Sequence, residues 1–246
     1  MRILVKNGGW TETESLSDAL GQLVKPFTRV AFVGSGGKTS IMMRLAEEQK
    51  EKNKIVLVLT TTHMYRPERY GIFTGNVADI ENALMKDGIA VAGKETEGGK
   101  ISWPGDGLYH QAKAFADIVL IEADGSKRLP LKFPNCSEPV IPTDTDIILP
   151  VLGLGALGCP GKEVCHRWDL ARMELAIQDE HEILTTGHLC LFMREGYLKP
   201  LKKEFPSACI IPIFNQADTE TLVDAGKRII DELGAERGIV SSMLPL

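Results

Sequence analysis

The chain has 246 residues, of which 43% are hydrophobic and 25% charged, and it carries a net charge of −5. This length suits one large α/β domain with at most a modest insertion, read as a single unit over residues 1–246; a chain of this size buries roughly 75% of its unfolded surface and needs no covalent staples. The acidic balance, with no long basic run, argues against a nucleic acid partner. The longest apolar stretch, 147–158, is interrupted by Pro150 and three glycines and falls short of the roughly 20 residues of a membrane span. The cysteines (Cys136, Cys159, Cys165, Cys190 and Cys209) are odd in number and follow no tight pairing pattern. They read as reduced thiols. The opening Met1–Trp10 has too short an apolar run for a secretory signal, so a cytoplasmic location is expected.

In chain order, apolar residues at 16, 19, 20, 23 and 24 predict an amphipathic helix over Ser15–Val24. Buried strands follow at Arg29–Val33 and Lys54–Leu59, with helical composition between them over Thr39–Lys50. Residues 79–86 read as a helix, 89–93 as a short strand, and Lys100–Trp103 as part of a small hairpin. Asp117–Glu122 and Asp146–Val151 are strongly apolar strands, separated by an irregular stretch around 125–145 rich in Pro, Lys and Asp. Helices are expected at 168–178 and 186–194, and a strand at Ala208–Phe214 whose Pro212 points to an edge or a bulge. The last helix carries Leu222, Ile229, Ile230 and Leu233, and a short strand covers Gly238–Ser241. Continuous apolar strands alternating with helices predict an α/β fold with a mostly parallel sheet and helices on both faces.

The first motif with chemistry lies between the strand at 29–33 and the helix after it. It reads Gly34-Ser35-Gly36-Gly37-Lys38-Thr39-Ser40. Glycines let backbone amides turn toward phosphates, and the helix start adds unpaired N–H groups. Lys38 is expected on the β- and γ-phosphates of ATP or GTP, and the Thr39 hydroxyl on Mg2+. The full pattern wants a glycine at position 32, where Phe32 stands. This is the shorter G-x-x-G-K-[ST] form, which resembles the loop of the Mur peptide ligases. The expected fold is thus P-loop NTPase-like.

The strand at 117–122 runs into Glu122-Ala123-Asp124-Gly125. Carboxylates at the end of a buried strand need a cation or hydrogen-bond donors. Strand alternation would put Glu122 and Asp124 on one face. One would hold magnesium or its water and the other would orient or deprotonate a nucleophile, so Lys38, Glu122 and Asp124 are the catalytic candidates and Thr39 and Glu122 the metal candidates. In a D-x-x-G register the Gly125 amide faces the γ-phosphate. Late in the chain, Asn215-Gln216-Ala217-Asp218 resembles the guanine-reading N-K-x-D motif with Gln in place of Lys. Asp218 would accept the two guanine N–H donors and Asn215 would tie loops or touch the base. Helix capping by Asp218 is the competing reading. Ser241-Ser242 lies where GTPases place a further base-contacting loop.

Lys127, Arg128 and Lys132 are candidates to neutralise phosphate or an anionic substrate, and Thr60–His63 a candidate switch beside the loop. Gly153–Gly158 has the look of a dinucleotide turn. Cys159 and Cys165-His166 are candidate soft ligands for a metal or chalcogen, and Arg167 a candidate transition-state finger.

Several segments together resemble the YqeC-type accessory proteins of selenium-dependent molybdenum hydroxylases. They are Val33–Ser40, Leu59–Met64, Ile121–Lys132, Glu138–Pro142 and Gly153–Arg167. The resemblance implies a P-loop fold and a partner in a molybdenum hydroxylase or its cofactor machinery. Three functions stand open: nucleotide hydrolysis coupled to cofactor insertion or selenium transfer, a ligase or phosphotransferase activating a small acid, and a non-catalytic nucleotide-sensing module.

Overall fold

The computed structural model describes residues 2–125 and 127–242. The chain opens with β1 (Arg2–Asn7), β2 (Trp10–Thr13) and α1 (Leu16–Leu20), then β3 (Thr28–Gly34), α2 (Lys38–Glu51) and β4 (Val56–Thr60). Short strands β5 (His63–Tyr65) and β6 (Gly71–Ile72) lead to α3 (Val77–Asp87), β7 (Ile89–Ala92), β8 (Lys94–Thr96), β9 (Lys100–Ser102) and α4 (Asp106–Ala112). Next come β10 (Ile118–Glu122), β11 (Leu131–Lys132), β12 (Ile147–Gly153), α5 (Gly161–Val164), β13 (Cys165–His166) and α6 (Trp168–Leu175). The chain continues through α7 (Thr186–Leu191), α8 (Lys199–Glu204), β14 (Cys209–Ile210), β15 (Ile213–Asn215), α9 (Glu220–Glu232) and β16 (Arg237–Ser242). A π-helical segment, Phe192–Leu198, joins α7 to α8.

The main sheet has the order β2-β1-β16-β15-β12-β3-β10-β4-β7-β6, with β14 beside β12. From β16 through to β6 every pairing is parallel; only β1 and β2 are antiparallel. Alternation along the buried strands makes two cores. Val30 and Phe32 of β3 pack with Leu16 and Leu20 of α1 and with Ile41, Met42 and Leu45 of α2. Ala31 and Val33 face the other way, toward Ile80 and Leu84 of α3, Trp168 of α6, Leu189 of α7 and Ile229 and Ile230 of α9. The architecture is α/β with a mostly parallel sheet covered by helices on both faces, as in P-loop NTPase-like proteins.

Three differences from the sequence reading have physical causes. The N-terminal strands were not expected, because Arg2–Asn7 is short; it is ordered by pairing along its whole length with β16. Pro212 does not mark an edge. It interrupts a strand lying between β12 and β16, and its carbonyl accepts from Ile239 N–H at 2.9 Å. The break falls where proline has no N–H to give the ladder. The helix expected over 186–194 keeps regular turns only to Leu191 and then widens into the π segment.

Candidate functional site

β3 ends at Gly34 and α2 begins at Lys38, so the glycine loop sits at the carboxyl edge of the sheet. Gly34, Gly36 and Gly37 have φ of 88°, 79° and 109°, a region that glycine enters without steric cost. Space enforces the same choice. A Cβ on Gly36 would stand 2.3 Å from the backbone nitrogen of Gly153. The loop is anchored from three strands. Val151 of β12 accepts from Ser35 N–H at 2.8 Å, Asp124 beyond β10 accepts from Gly34 N–H at 3.0 Å, and Asn215 of β15 donates to the Gly36 carbonyl at 2.7 Å. The Ser35 hydroxyl donates to the Pro130 carbonyl at 2.9 Å. Lys38 is buried and curls back to donate to the Gly34 carbonyl at 2.5 Å. Burial pulls its ammonium below the ordinary lysine range, with the charges of Glu122 and Glu138 opposing.

Glu122 ends β10 and is buried, and its Oε2 accepts from the Thr39 hydroxyl at 2.5 Å. Gly36, Gly37, Lys38, Thr39, Ser40, Glu122 and Gly125 all line one cleft of 760 Å³. Among the described residues no cluster of three or more His, Cys, Asp or Glu side chains is arranged around a metal position. The hydroxyl–carboxylate pair of Thr39 and Glu122 fits magnesium instead. That ion prefers hard oxygen donors and takes one or two from protein, with the rest from phosphate and water.

Asp124 departs from the expectation. β10 stops at Glu122, so the alternation that would have put both carboxylates on one face ends there. Asp124 is fully buried and absent from the cleft lining. One oxygen holds the Gly34 N–H and the other is ion-paired with Lys132 Nζ. Lys132, expected to neutralise an anion, is likewise fully buried. Its ammonium contacts Asp124, Glu138 at 2.7 Å and the Gly125 carbonyl at 2.5 Å. Burial draws it below its ordinary range, and Glu138 opposes this. Arg167, the finger candidate, grips both oxygens of Glu138. Burial pushes the Glu138 carboxyl up, but hydrogen bonds from Arg167 and Lys132 outweigh this and hold it below the usual range. Asp124, Lys132, Glu138 and Arg167 thus form a network beside the loop, of which Glu138 reaches the cleft lining.

The opposite wall of the cleft comes from the small antiparallel sheet β5-β9-β8 and from the turn after β10. It presents Thr62, His63, Met64, Tyr65, Lys100, Lys127, Arg128 and Leu129. Thr60–His63 does lie beside the loop as expected, with the Thr60 hydroxyl donating to the Glu122 carbonyl at 3.0 Å. Sequence reasoning missed Tyr65 and Lys100, which adopt their places only when β5 and β9 pair Tyr65 with Lys100.

At the late segment, Asn215 is buried and ties loops. It donates to Gly36 and accepts from the Ser241 hydroxyl at 2.9 Å. Asp218 accepts from the Ser242 hydroxyl at 2.6 Å. Asp218 does not cap α9; Thr219 does, its hydroxyl accepting from Leu222 N–H. Gln216 lines the cleft at φ 63°, and its buried Oε1 lies over Gly153. Gly153–Gly158 is no dinucleotide turn. It finishes β12 and makes a short 3-10 turn that seats the loop through Gly153. Cys165 is buried, its thiol pushed up to about 12 by burial, so it stays protonated at neutral pH.

A parallel sheet whose central strand runs into a Gly-x-x-Gly-Lys-Thr turn, with a carboxylate from the neighbouring strand on the threonine, defines a P-loop NTPase-like protein. The family model described as "YqeC protein" matches residues 30–169, more than half of the chain, and the chain belongs to that family. "Uncharacterized protein YqeC" of Escherichia coli (strain K12) is 34% identical over 158 residues, covering 61% of this chain and 60% of that relative. The match therefore spans less than two thirds of the curated relative's length. The family match includes the loop, Glu122 and the buried network, and ends before Asn215–Asp218. No helix among the described residues is long and apolar enough to cross a membrane.

Proposed function

We propose that the cleft binds a magnesium–nucleoside triphosphate, ATP or GTP, and hydrolyses it as an accessory step in maturing a selenium-dependent molybdenum hydroxylase or its cofactor. The observation that carries the nucleotide reading is the convergence of Lys38, Thr39 and Glu122 in one cleft at the head of α2. Loop amides and Lys38 would bind the phosphates, Lys38 exchanging the Gly34 carbonyl for β- and γ-oxygens. Thr39 and Glu122 would hold Mg2+, whose charge would offset that of the phosphates. Glu122 would also orient the attacking water through its free oxygen, and the Gly125 amide would face the γ-phosphate. Asp124 positions the loop through Gly34 rather than meeting substrate. The client rests on the family resemblance.

Calorimetry with a non-hydrolysable triphosphate and magnesium tests the core of this. Lys38→Ala should weaken triphosphate binding by about 1.5–3 kcal/mol and diphosphate binding less, as expected for loss of a charged contact. Unchanged affinity would remove the reading. Phosphate release only with an added acid would favour the ligase, and binding without release the sensing module. For the base, Asp218 has no capping role but lies outside the cleft lining with one carboxylate oxygen on the Ser242 hydroxyl, so guanine reading requires the base to extend past Gln216 to reach it. GTP should compete modestly better than ATP, and Asp218→Asn should abolish the difference. For the client, a deletion strain whose molybdenum hydroxylase is still active and fully selenated would overturn the maturation role.

A further inference from the structure

The cations on the far wall of the cleft have no assigned partner. Lys100 stands on β9, and Lys127 and Arg128 on the turn after β10. Among the described residues none of the three has a carboxylate within ion-pair distance, although the molecule forms such pairs freely elsewhere. The carboxylates lining the cleft are already engaged, Glu122 by Thr39 and Glu138 by Lys132 and Arg167. Two of these cations, Lys100 and Arg128, are nonetheless gathered on one ring. The Arg128 guanidinium lies 4.0 Å from the centre of Tyr65 and the Lys100 ammonium 5.2 Å from it. Tyr65 is 49% exposed. Lys127 and Arg128 adopt φ of 51° and 64°, a left-handed conformation that side-chain-bearing residues resist, and two in succession are seldom kept without a use. Thr62, half-buried, lines the cleft beside them.

We propose that this wall is a second subsite, holding the carboxylate or phosphate group of a small anionic co-substrate. Lys100 and Arg128 supply the charge that holds it. The proposal rests on the loop being the triphosphate site. The loop amides, Lys38 and magnesium answer the charge of a triphosphate, and the far-wall cations are left over for another anion in the same cleft. Water is then not the only nucleophile with access to the nucleotide.

The test titrates inorganic phosphate and, separately, citrate into the full chain saturated with magnesium and a non-hydrolysable triphosphate. At least one probe should bind, and Lys100→Ala and Arg128→Ala should each weaken it about tenfold or more, the loss of a charged contact. Both variants should affect the triphosphate analogue less than Lys38→Ala does. Which probe binds separates a phosphate-bearing from a carboxylate-bearing co-substrate. No probe binding to the loaded protein overturns the subsite. So does a loss of analogue affinity in Lys100→Ala and Arg128→Ala equal to that in Lys38→Ala, which would assign these cations to the triphosphate. If wild-type protein binds no triphosphate, the loop reading fails instead. The same titration of nucleotide-free Lys38→Ala protein then decides the subsite: binding lost with Lys100→Ala supports it, and no binding ends it.

Discussion

The two walls of the cleft are built in opposite ways. On the loop wall the backbone of Gly34–Gly36 is fixed by buried protein. Gly34 is held by Asp124, Ser35 by Val151 and Gly36 by Asn215, and Asp124 is in turn held by Lys132. On the other wall Lys127, Arg128, His63 and Tyr65 are exposed side chains on a turn and a three-residue strand. One wall is prearranged at the expense of burying charge, and the other can adjust to what arrives. The difference suits a site in which one partner is always the same and the other sets the specificity.

Breaking the rigid wall should have the largest consequence. Asp124→Ala leaves Lys132 buried beside a single remaining carboxylate, and removing one member of a buried ion pair costs about 3–5 kcal/mol. Chemical denaturation should show that loss, together with loss of triphosphate binding; a stability within about 1 kcal/mol of wild type would mean that solvent reaches Lys132 and that the wall is not rigid. Gly36→Ala comes next. The added Cβ meets backbone of Gly153 and the φ of 79° resists a side chain, so about 2 kcal/mol or more should be lost. If its melting curve overlays that of wild type, β12 does not press on the loop.

Acid should attack the network beside the loop. Glu138 is held below its ordinary range in the folded protein, so its stabilising effect is complete above its unfolded pKa and fades as pH falls through the folded value. Stability should therefore drop on acidification below about pH 4, and less steeply in Glu138→Gln. Equal acid limbs for the two proteins would disconnect Glu138 from stability. The smallest effect sharpens the contrast by touching neither wall. Thr219→Ala removes the cap of α9 and should cost about 1 kcal/mol. Its base preference should match that of wild type; a changed preference would make the cap part of the base site.

The rigid wall was largely legible in the sequence and the adaptable one was not. A continuous apolar strand, glycines, a lysine and a threonine are local signals, and they located Gly34–Ser40 and Glu122 directly. The role of Asp124 could not be read, because it depends on β10 ending two residues earlier and on Lys132 returning beneath it. Asn215 was readable as a loop tie, but its partners Gly36 and Ser241 are set by strand order. Tyr65 and Lys100 are 35 positions apart in the numbering and meet only through the antiparallel pairing of β5 with β9. The strand β1 was likewise invisible, since its hydrogen-bond partners lie at the far end of the chain in β16.

The borders of the main sheet bear on how the protein behaves at high concentration. One border is β2, four residues reading Trp-Thr-Glu-Thr, and the other is β6, two residues long. An unpaired strand is a template on which a neighbouring molecule can add its own, and long flat apolar borders turn a crowded solution into aggregates. Here one border offers a charged and hydroxylated ribbon and the other is only two residues long. Neither border of the wide parallel sheet thus offers a long, flat apolar template for strands of other copies.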